Sequence, residues 1–359
     1  MTGYTIDRRK LLMLGAGAAI GSFALTRGAL ADVISNAKIE GSAEMAKGAQ
    51  KSGKLRIGFS NGFSGNTWRT QNLASMQTEA AANKDKYDLI TVDGQGDITK
   101  QVNDIEDLIA QSVDALLVIP NSGTAVVPAL RKATRAGIIT IPFNLPVEGD
   151  NWTAFIGTDP KKKGATTGKF LNDALGGKGK IVALGGLPGN SYTAECWAGA
   201  QTEFGSGIEV LAFKDASWQE DKAKVVMADL IAAYPQIDGI WCDGGQDAAG
   251  GLKALMAANR PLVPATGDDY NGLLKLYDAQ KAANPKFKIG CVSEPSWEGV
   301  VALRTAMKLL SGQDAPKRQV ISPVLMDDSN YSQFIKKDLP DGVFVDTLLT
   351  DDELKKLFS

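Results

Sequence analysis

Histidine is absent from this 359-residue chain. Its absence excludes Ser-His-Asp and Cys-His catalysis, His-ligated zinc or haem, and any other step that needs an imidazole. Cysteine is scarce. Cys196, Cys242 and Cys291 are the three present, so at most one pair could bridge in an oxidising compartment, and their apolar surroundings read as those of small buried hydrophobes. An excess of charge is lacking too: 39 Lys and Arg stand against 41 Asp and Glu, so no bulk basic charge draws the chain to nucleic acid or to an anionic membrane. Nucleotide-binding loops are missing as well. Gly164 to Lys169 falls one spacer short of a P-loop, and neither Gly94-Gln95-Gly96 nor Gly185-Gly186 continues as G-x-G-x-x-G.

What is present begins with a segment of another kind. Asp7-Arg8-Arg9-Lys10 precedes the apolar, small-residue run Leu11 to Leu25, and Ala29-Leu30-Ala31 follows. This is a charged start, an apolar centre and an A-x-A cleavage signal, with the paired arginines of twin-arginine export. The run is shorter than the roughly 20 residues that span a bilayer, which argues against an anchor. Residues 1–31 are therefore expected to be an export signal. Cleavage after Ala31 removes Arg8, Arg9, Lys10 and Arg27 against Asp7 and leaves a mildly acidic periplasmic product.

From Lys54 onward, short β-branched runs alternate with helical stretches. Leu55–Ser60, Asp88–Val92, Asp114–Pro120, Ile138–Phe143 and Thr153–Gly157 read as strands, with helices over Thr67–Asn83 and Ala125–Arg135 and a helical repeat in Val102, Ile105, Leu108 and Ile109. A strand that is apolar throughout, such as Leu116-Leu117-Val118-Ile119, suits a parallel sheet covered by helices on both faces. A second series follows: helices over Gly164–Leu175, Tyr192–Phe204 and Trp297–Leu310, and strands at Gly179–Leu184, Ile208–Lys214, Asp238–Cys242, Leu262–Thr266 and Ile289–Ser293. The expected fold is α/β: two doubly wound parallel-sheet domains side by side, with a cleft between them where ligands collect at the carboxyl ends of the strands.

The loops at those strand ends carry one kind of chemistry. The first, Asn61-Gly62-Phe63-Ser64-Gly65-Asn66-Thr67-Trp68-Arg69, projects an amide, an indole and a guanidinium together. Asn144, Asn190, Trp218, Asp243, Gln246, Asp269 and Glu294 follow at the ends of later strands. Each hydroxyl of a polyhydroxylated ligand both donates and accepts, so carboxylates and amides satisfy it in pairs, while indole faces cover the C–H surface of a ring. Singly, most of these residues would be helix caps, turn residues or core aromatics. Together at corresponding strand ends they form a binding set.

The order of Asn66-Thr67-Trp68-Arg69, Val92-Asp93-Gly94-Gln95-Gly96-Asp97, Leu117-Val118-Ile119-Pro120-Asn121, Asn144, Ile156-Gly157-Thr158-Asp159, Gly185 to Ser191, Trp218, Asp269 and Glu294 resembles the periplasmic sugar-binding proteins of ABC importers. The likeness is to the ribose-binding type, with the type I periplasmic binding protein fold, from about Lys54 to about Pro323. It implies two doubly wound domains joined by a three-crossing hinge near Gly157–Asp159, Ser293–Pro295 and Ser322–Pro323. The domains would then be 32–158 plus 295–322, and 159–294 plus 323–359.

Carried over residue by residue, Asn66 and Trp68 match the amide and aromatic of the family's first loop. Asn144 stands at an acidic position that holds sugar hydroxyls, Trp218 at a stacking aromatic, Asp269 at the acidic residue of the second domain, and Glu294 at a hinge-region amide. Leu145 and Cys196 occupy positions where ribose binders carry arginines, Gly244 stands near a ligand-binding asparagine, and Arg69 replaces an aromatic. The ribose site is thus not reproduced, and a neutral sugar or sugar alcohol is the expected ligand, with a sugar acid held by Arg69 as the other candidate.

The resemblance further implies a monomer that closes on its ligand and docks on a membrane ABC permease, with no cofactor, metal, catalytic residue or nucleic-acid partner. A glycoside hydrolase built on a pair among Asp243, Asp269 and Glu294 is the enzymatic rival. An exported receptor presenting a sugar-derived autoinducer or attractant to a membrane sensor is the other. A repressor of the same core fold would begin with a basic helix-turn-helix, where this chain begins with an export signal.

Overall fold

Apolar strands and the helices that cover them build two lobes. The structure, a computed structural model, describes residues 33–34 and 36–359; the expected export signal lies outside these residues. In the first lobe, β3 (Leu55–Asn61), β4 (Tyr87–Asp93), β5 (Ala115–Ile119) and β6 (Ile139–Pro142) form a parallel sheet in the order β4-β3-β5-β6. The central strand β5 is buried at every position, as its unbroken apolar sequence requires. Around it run α1 (Thr67–Ala82), α2 (Ile98–Ala110) and α3 (Val127–Arg135).

Helix α2 turns Ile105 and Leu108 into the core formed with Val113, Leu116, Val118 and Leu130. Its buried Gln101 reaches the carboxyl end of the sheet, donating to the Ile119 carbonyl and accepting from the Asn121 amide. That end of the sheet is fixed by side-chain bonds in addition to packing.

The first lobe is wider than the sequence rhythm indicates. A parallel bridge from Phe143 to Ile156 continues the sheet into β7 (Phe155–Gly157), which pairs with β14 (Arg318–Ile321), itself paired with β1 (Ile39–Gly41). The two-residue strands β2 (Met45–Ala46) and β13 (Ala315–Pro316) form a separate antiparallel pair.

The second lobe holds β8 (Lys178–Gly185), β9 (Gly207–Asp215), β10 (Gly239–Cys242), β11 (Ala265–Gly267), β12 (Ile289–Val292) and β15 (Leu325–Asp327). Their order is β15-β12-β11-β10-β8-β9, with β15 alone antiparallel. Its helices are α4 (Pro160–Ala174), α5 (Ser191–Gln201), α6 (Glu220–Ala233), α7 (Gly245–Ala257) and α8 (Asn271–Gln280), while α9 (Glu298–Leu310) returns to pack on α1 and β5–β7 of the first lobe.

The chain passes between the sheets at residues 158–159, 293–297 and 322–324, as the membership of the flanking elements requires. Helices α4 and α5 approach backbone to backbone. A Cβ on Gly164 would lie 1.8 Å from the Cys196 carbonyl oxygen, and one on Gly199 would lie 2.0 Å from that of Lys161. Glycine at both positions is what lets the first turns of α4 lie against the middle and end of α5.

The assignment of 323–359 wholly to the second lobe needs correction. After β15 the tail crosses the second lobe, but its last helix, α10 (Asp351–Leu357), is opened by a Thr350–Glu353 capping box and packs with Leu354 and Leu357 beside Ala74 of α1 in the first lobe. The sequence signal for this helix, its acidic first turn and basic last turn, gives its position but not the surface it buries.

Candidate functional site

The carboxyl ends of both sheets face one another across a cavity with about 380 Å³ of space unfilled by protein atoms, part of it open to solvent. Eight of the ten residues singled out in the sequence line it: Asn66, Trp68, Arg69, Asn144, Trp218, Asp243, Gln246 and Glu294. Leu145, Lys163, Tyr192, Asp268 and Phe344 complete the lining.

Asn66 serves two purposes. Its carboxamide caps α1 by accepting from the Arg69 amide at 3.0 Å, and it also faces the cavity. The cap leaves Trp68 and Arg69 in the first turn, pointing inward and 4% exposed each. The Trp68 indole donates to the Glu294 carbonyl at 2.8 Å, and the Arg69 guanidinium donates to Asn61 Oδ1 at 2.8 Å. Burial pulls the Arg69 pKa down to about 9, partly offset by Glu298 and Asp93.

On the second-lobe side, Ser217 and Trp218 both adopt left-handed backbone, with φ of 64° and 51°, an uncommon conformation for residues other than glycine. Asp243 holds Trp218 there. Its carboxylate accepts the indole N–H at 3.1 Å and the Thr193 hydroxyl at 2.6 Å, while Gly186 leaves the space that the indole fills, since a Cβ there would lie 2.1 Å from its Cε2. Both Asp243 oxygens are thus engaged by protein donors, while the residue also lines the cavity. Burial raises its pKa, and those two hydrogen bonds pull it back. Gln246 lines the cavity with its buried Oε1 lacking a partner among the described residues.

Glu294 is the centre of a buried network at the second crossing. It accepts from Lys163 Nζ at 3.0 Å, Asn144 Nδ2 at 2.9 Å and the Tyr192 hydroxyl. Asn144 reaches it from left-handed backbone, φ 63°. Burial pushes the Lys163 ammonium toward neutrality, but Glu294 and Asp268 more than offset this, and its pKa ends raised. Burial drives Tyr192 well above its ordinary value, and the neighbouring Glu294 adds to it, so the phenol remains protonated. Both cations that line the cavity are engaged by protein groups.

Two expected ligand contacts are placed elsewhere. Asn190 is the cap of α5, its Oδ1 accepting from the Tyr192 and Thr193 amides, and it does not line the cavity. Asp269 is fully buried with its carboxylate taken by two backbone amides, Glu294 N at 2.8 Å and Asp346 N at 2.7 Å. Its neighbour Asp268 lines the cavity in its place. Successive residues of an extended chain point to opposite sides, so a one-residue error in assigning the acid reverses its face. Burial lifts Asp268 to about 7, with Lys163 and the Gly245 amide opposing the rise.

Lys163 and Tyr192 were also missed, although a signal for each exists. Lys163 shares its helix face with Thr167 and Leu171, and Tyr192 shares its face with Cys196 and Ala200, and all six are buried. The Lys161-Lys162-Lys163 run looks like a solvated patch until that phase is followed. Phe344 carries no local signal, because it arrives from the tail. The three cysteines are buried thiols, none bonded to another among the described residues.

The lobes touch across the cleft. Gln219 Nε2 donates to the Gly65 carbonyl at 3.1 Å and Ser191 Oγ to that of Pro146 at 3.4 Å, so this is a closed arrangement. Its chemistry is two indoles, amides and carboxylates converging from both sheets, which suits hydroxyl-bearing rings and chains.

Comparison with known proteins follows the same lines. The sequence profile described as a periplasmic binding protein domain matches residues 57–314. A ribose import binding protein of Bacillus subtilis is 28% identical over 263 residues, 72% of this chain and 84% of that protein. A xylitol-binding protein of Mycolicibacterium smegmatis is 32% identical over 203 residues, 56% of this chain and 58% of that one. Among solved structures, an ABC transporter solute-binding protein from Mycobacterium smegmatis with bound glycerol superposes with a TM-score of 0.71 at 28% identity, covering 80% of this chain and 98% of its own. One from Bacillus halodurans with bound myo-inositol gives 0.72 at 24% identity, covering 80% and 99%, a likeness of fold.

Proposed function

Because the chain belongs to the periplasmic binding protein family and has its type I fold, we propose that it captures a sugar or sugar alcohol between its lobes and delivers it to an ABC permease. The observation that carries this reading is the closed cavity, in which Trp68 and Trp218 face a space edged by Asn66, Asn144, Gln246 and Asp268. The relatives named for ribose and xylitol, and the structure holding glycerol, have ligands of the same chemical class.

In this mechanism the open protein presents two half-sites. Asn66 and Trp68 belong to one, Trp218, Gln246 and Asp268 to the other, and a ligand that bridges them stabilises the closed state by its differential affinity. Trp218 covers the C–H face of the ligand while Asp268 and Gln246 Oε1 accept from its hydroxyls. Lys163 is already paired with Glu294, so a ligand carboxylate would have to displace that partner there, which favours a neutral polyol; Arg69 is held by Asn61 through one nitrogen and is the place where a sugar acid would bind instead. Asp243 and Glu294 position other groups. They do not serve as an acid–base pair, and the protein acts by binding and release, without a reaction. Export by the twin-arginine route, through the segment ending at Ala31, would place it where a permease is reached as a monomer.

Gene deletion tests the delivery step. A transport role predicts loss of uptake and growth on the cognate polyol, restored by the wild-type gene; intact uptake with an altered sensory response would replace it with the receptor reading.

A further inference from the structure

The tail does more than end the second lobe. Residues 341–346 lie antiparallel to 269–272: Gly272 N donates to the Asp341 carbonyl, Asn271 N to that of Val343, and Val345 N to that of Asp269. The same segment is bonded to the first lobe. Gln71, on α1, donates to the Phe344 carbonyl at 2.8 Å and accepts from the Phe344 amide at 3.1 Å. It is bonded to the second crossing as well, where Asp346 Oδ1 accepts from the Trp297 indole at 2.8 Å and Asp346 O from the Ser296 amide at 3.1 Å. Between these ties the Phe344 ring, packed edge-on against Tyr270 at 5.9 Å, forms part of the cavity wall.

We infer that residues 341–346 are a fourth connection between the lobes, held by Gln71 and Asp269, which brings Phe344 into the binding cavity as a wall that sets the size and polarity of the ligand accepted. Asp269 is then a positioning residue. One carboxylate orders both the Glu294 backbone at the hinge and the Asp346 backbone of the strap, which explains why an acid at the end of β11 is buried away from the cavity. A strap anchored to both lobes also narrows the range over which they part. Phe344 presents carbon, offering no hydrogen bond, so the position it faces on a ligand is a C–H surface and not a hydroxyl.

The tie stands without any ligand, and the wall rests on the sugar-binding reading; the two are tested separately. Amide hydrogen exchange on the purified, ligand-free protein reads the tie. Gln71→Ala should speed exchange at Phe344 and Asp346 at least tenfold, and Gln71→Glu, which keeps the acceptor for the Phe344 amide, should recover part of the protection. Asp269→Asn should loosen Asp346 and Glu294 together. Unchanged exchange at 341–346 in Gln71→Ala overturns the connection.

Titration with pentitols, pentoses, hexoses and inositols reads the wall. Phe344→Ala should bind the preferred member at least tenfold more weakly and discriminate less between it and its next larger homologue. Wild-type affinities in Phe344→Ala refute the wall, whereas silence of the wild-type protein toward every member refutes the sugar reading and leaves the exchange result to decide the strap.

Discussion

Replacing Glu294 by Gln removes the charge that compensates Lys163 and leaves one oxygen, enough for either the Asn144 donor at Oε1 or the Tyr192 donor at Oε2 but not both. The Lys163 side chain is 2% exposed and that of Glu294 8%, so solvent screens the pair little. Removing one partner of such a pair costs about 3–5 kcal/mol, most of it the penalty for the charge left behind. At about 2–4 °C per kcal/mol for a large domain, this is a fall of roughly 6–20 °C in melting temperature. Glu294→Gln with Lys163→Met removes the stranded charge and should recover most of the loss.

The pH dependence supplies an independent sign. In the wild type the Lys163 pKa is raised, so its contribution is fully present below the ordinary lysine value and is lost only in strong alkali. In Glu294→Gln, burial acts with less opposition and the pKa falls. The folded state then binds fewer protons than the unfolded, and stability rises with pH between neutrality and about 10. Differential scanning calorimetry of ligand-free protein from pH 6 to pH 9 reads both effects. A single variant within about 1 kcal/mol of wild type, or a double variant no more stable than the single, would refute the compensation argument.

Three further outcomes are expected. Asp268, at about 7 when folded against 3.8 for the free group, makes the folded state the better proton binder between those values, so stability falls as pH rises through that window, by up to about 1.4 kcal/mol per unit; Asp268→Asn should flatten the slope in a denaturation series, and an unchanged slope would remove Asp268 as its source. Trp218→Ala should weaken ligand binding by about 10–100-fold, or about 1.4–2.8 kcal/mol, whereas Asp243→Asn, which keeps an acceptor for the indole, should cost less; equal losses would place Asp243 in direct contact with ligand. Gly199→Val should drive α4 and α5 apart and destabilise by at least about 2 kcal/mol in urea, and a neutral result would mean that the helices yield there.

The two-lobed α/β architecture was legible because its signals are local and repeated. Strands such as Leu116–Ile119 have a burial pattern written in their own sequence, and loops at the strand ends face the cleft by topology alone. Asn66, Trp68, Asn144 and Trp218 could be placed for that reason. Asp269 could not, since the choice between it and Asp268 depends on which side of an extended chain faces the cavity, and a segment about 75 residues later claims its carboxylate. Lys163 and Tyr192 meet only because Gly164 and Gly199 permit their helices to touch. Phe344 and α10 depend on where a tail lies down, which is set by tertiary contacts with Gln71 and Ala74 that no periodicity encodes. Local rules thus located the cleft, and long-range packing chose which side chains fill it.

Isothermal titration of the purified, ligand-free protein with a panel of pentitols, pentoses, hexoses and inositols, in parallel with Trp68→Ala, tests the central claim most directly. The account predicts saturable one-to-one binding to a stereochemically related subset, weakened in the variant while its fold is retained. Absence of binding to every member by a protein shown to be folded, or equal binding by Trp68→Ala, would contradict it.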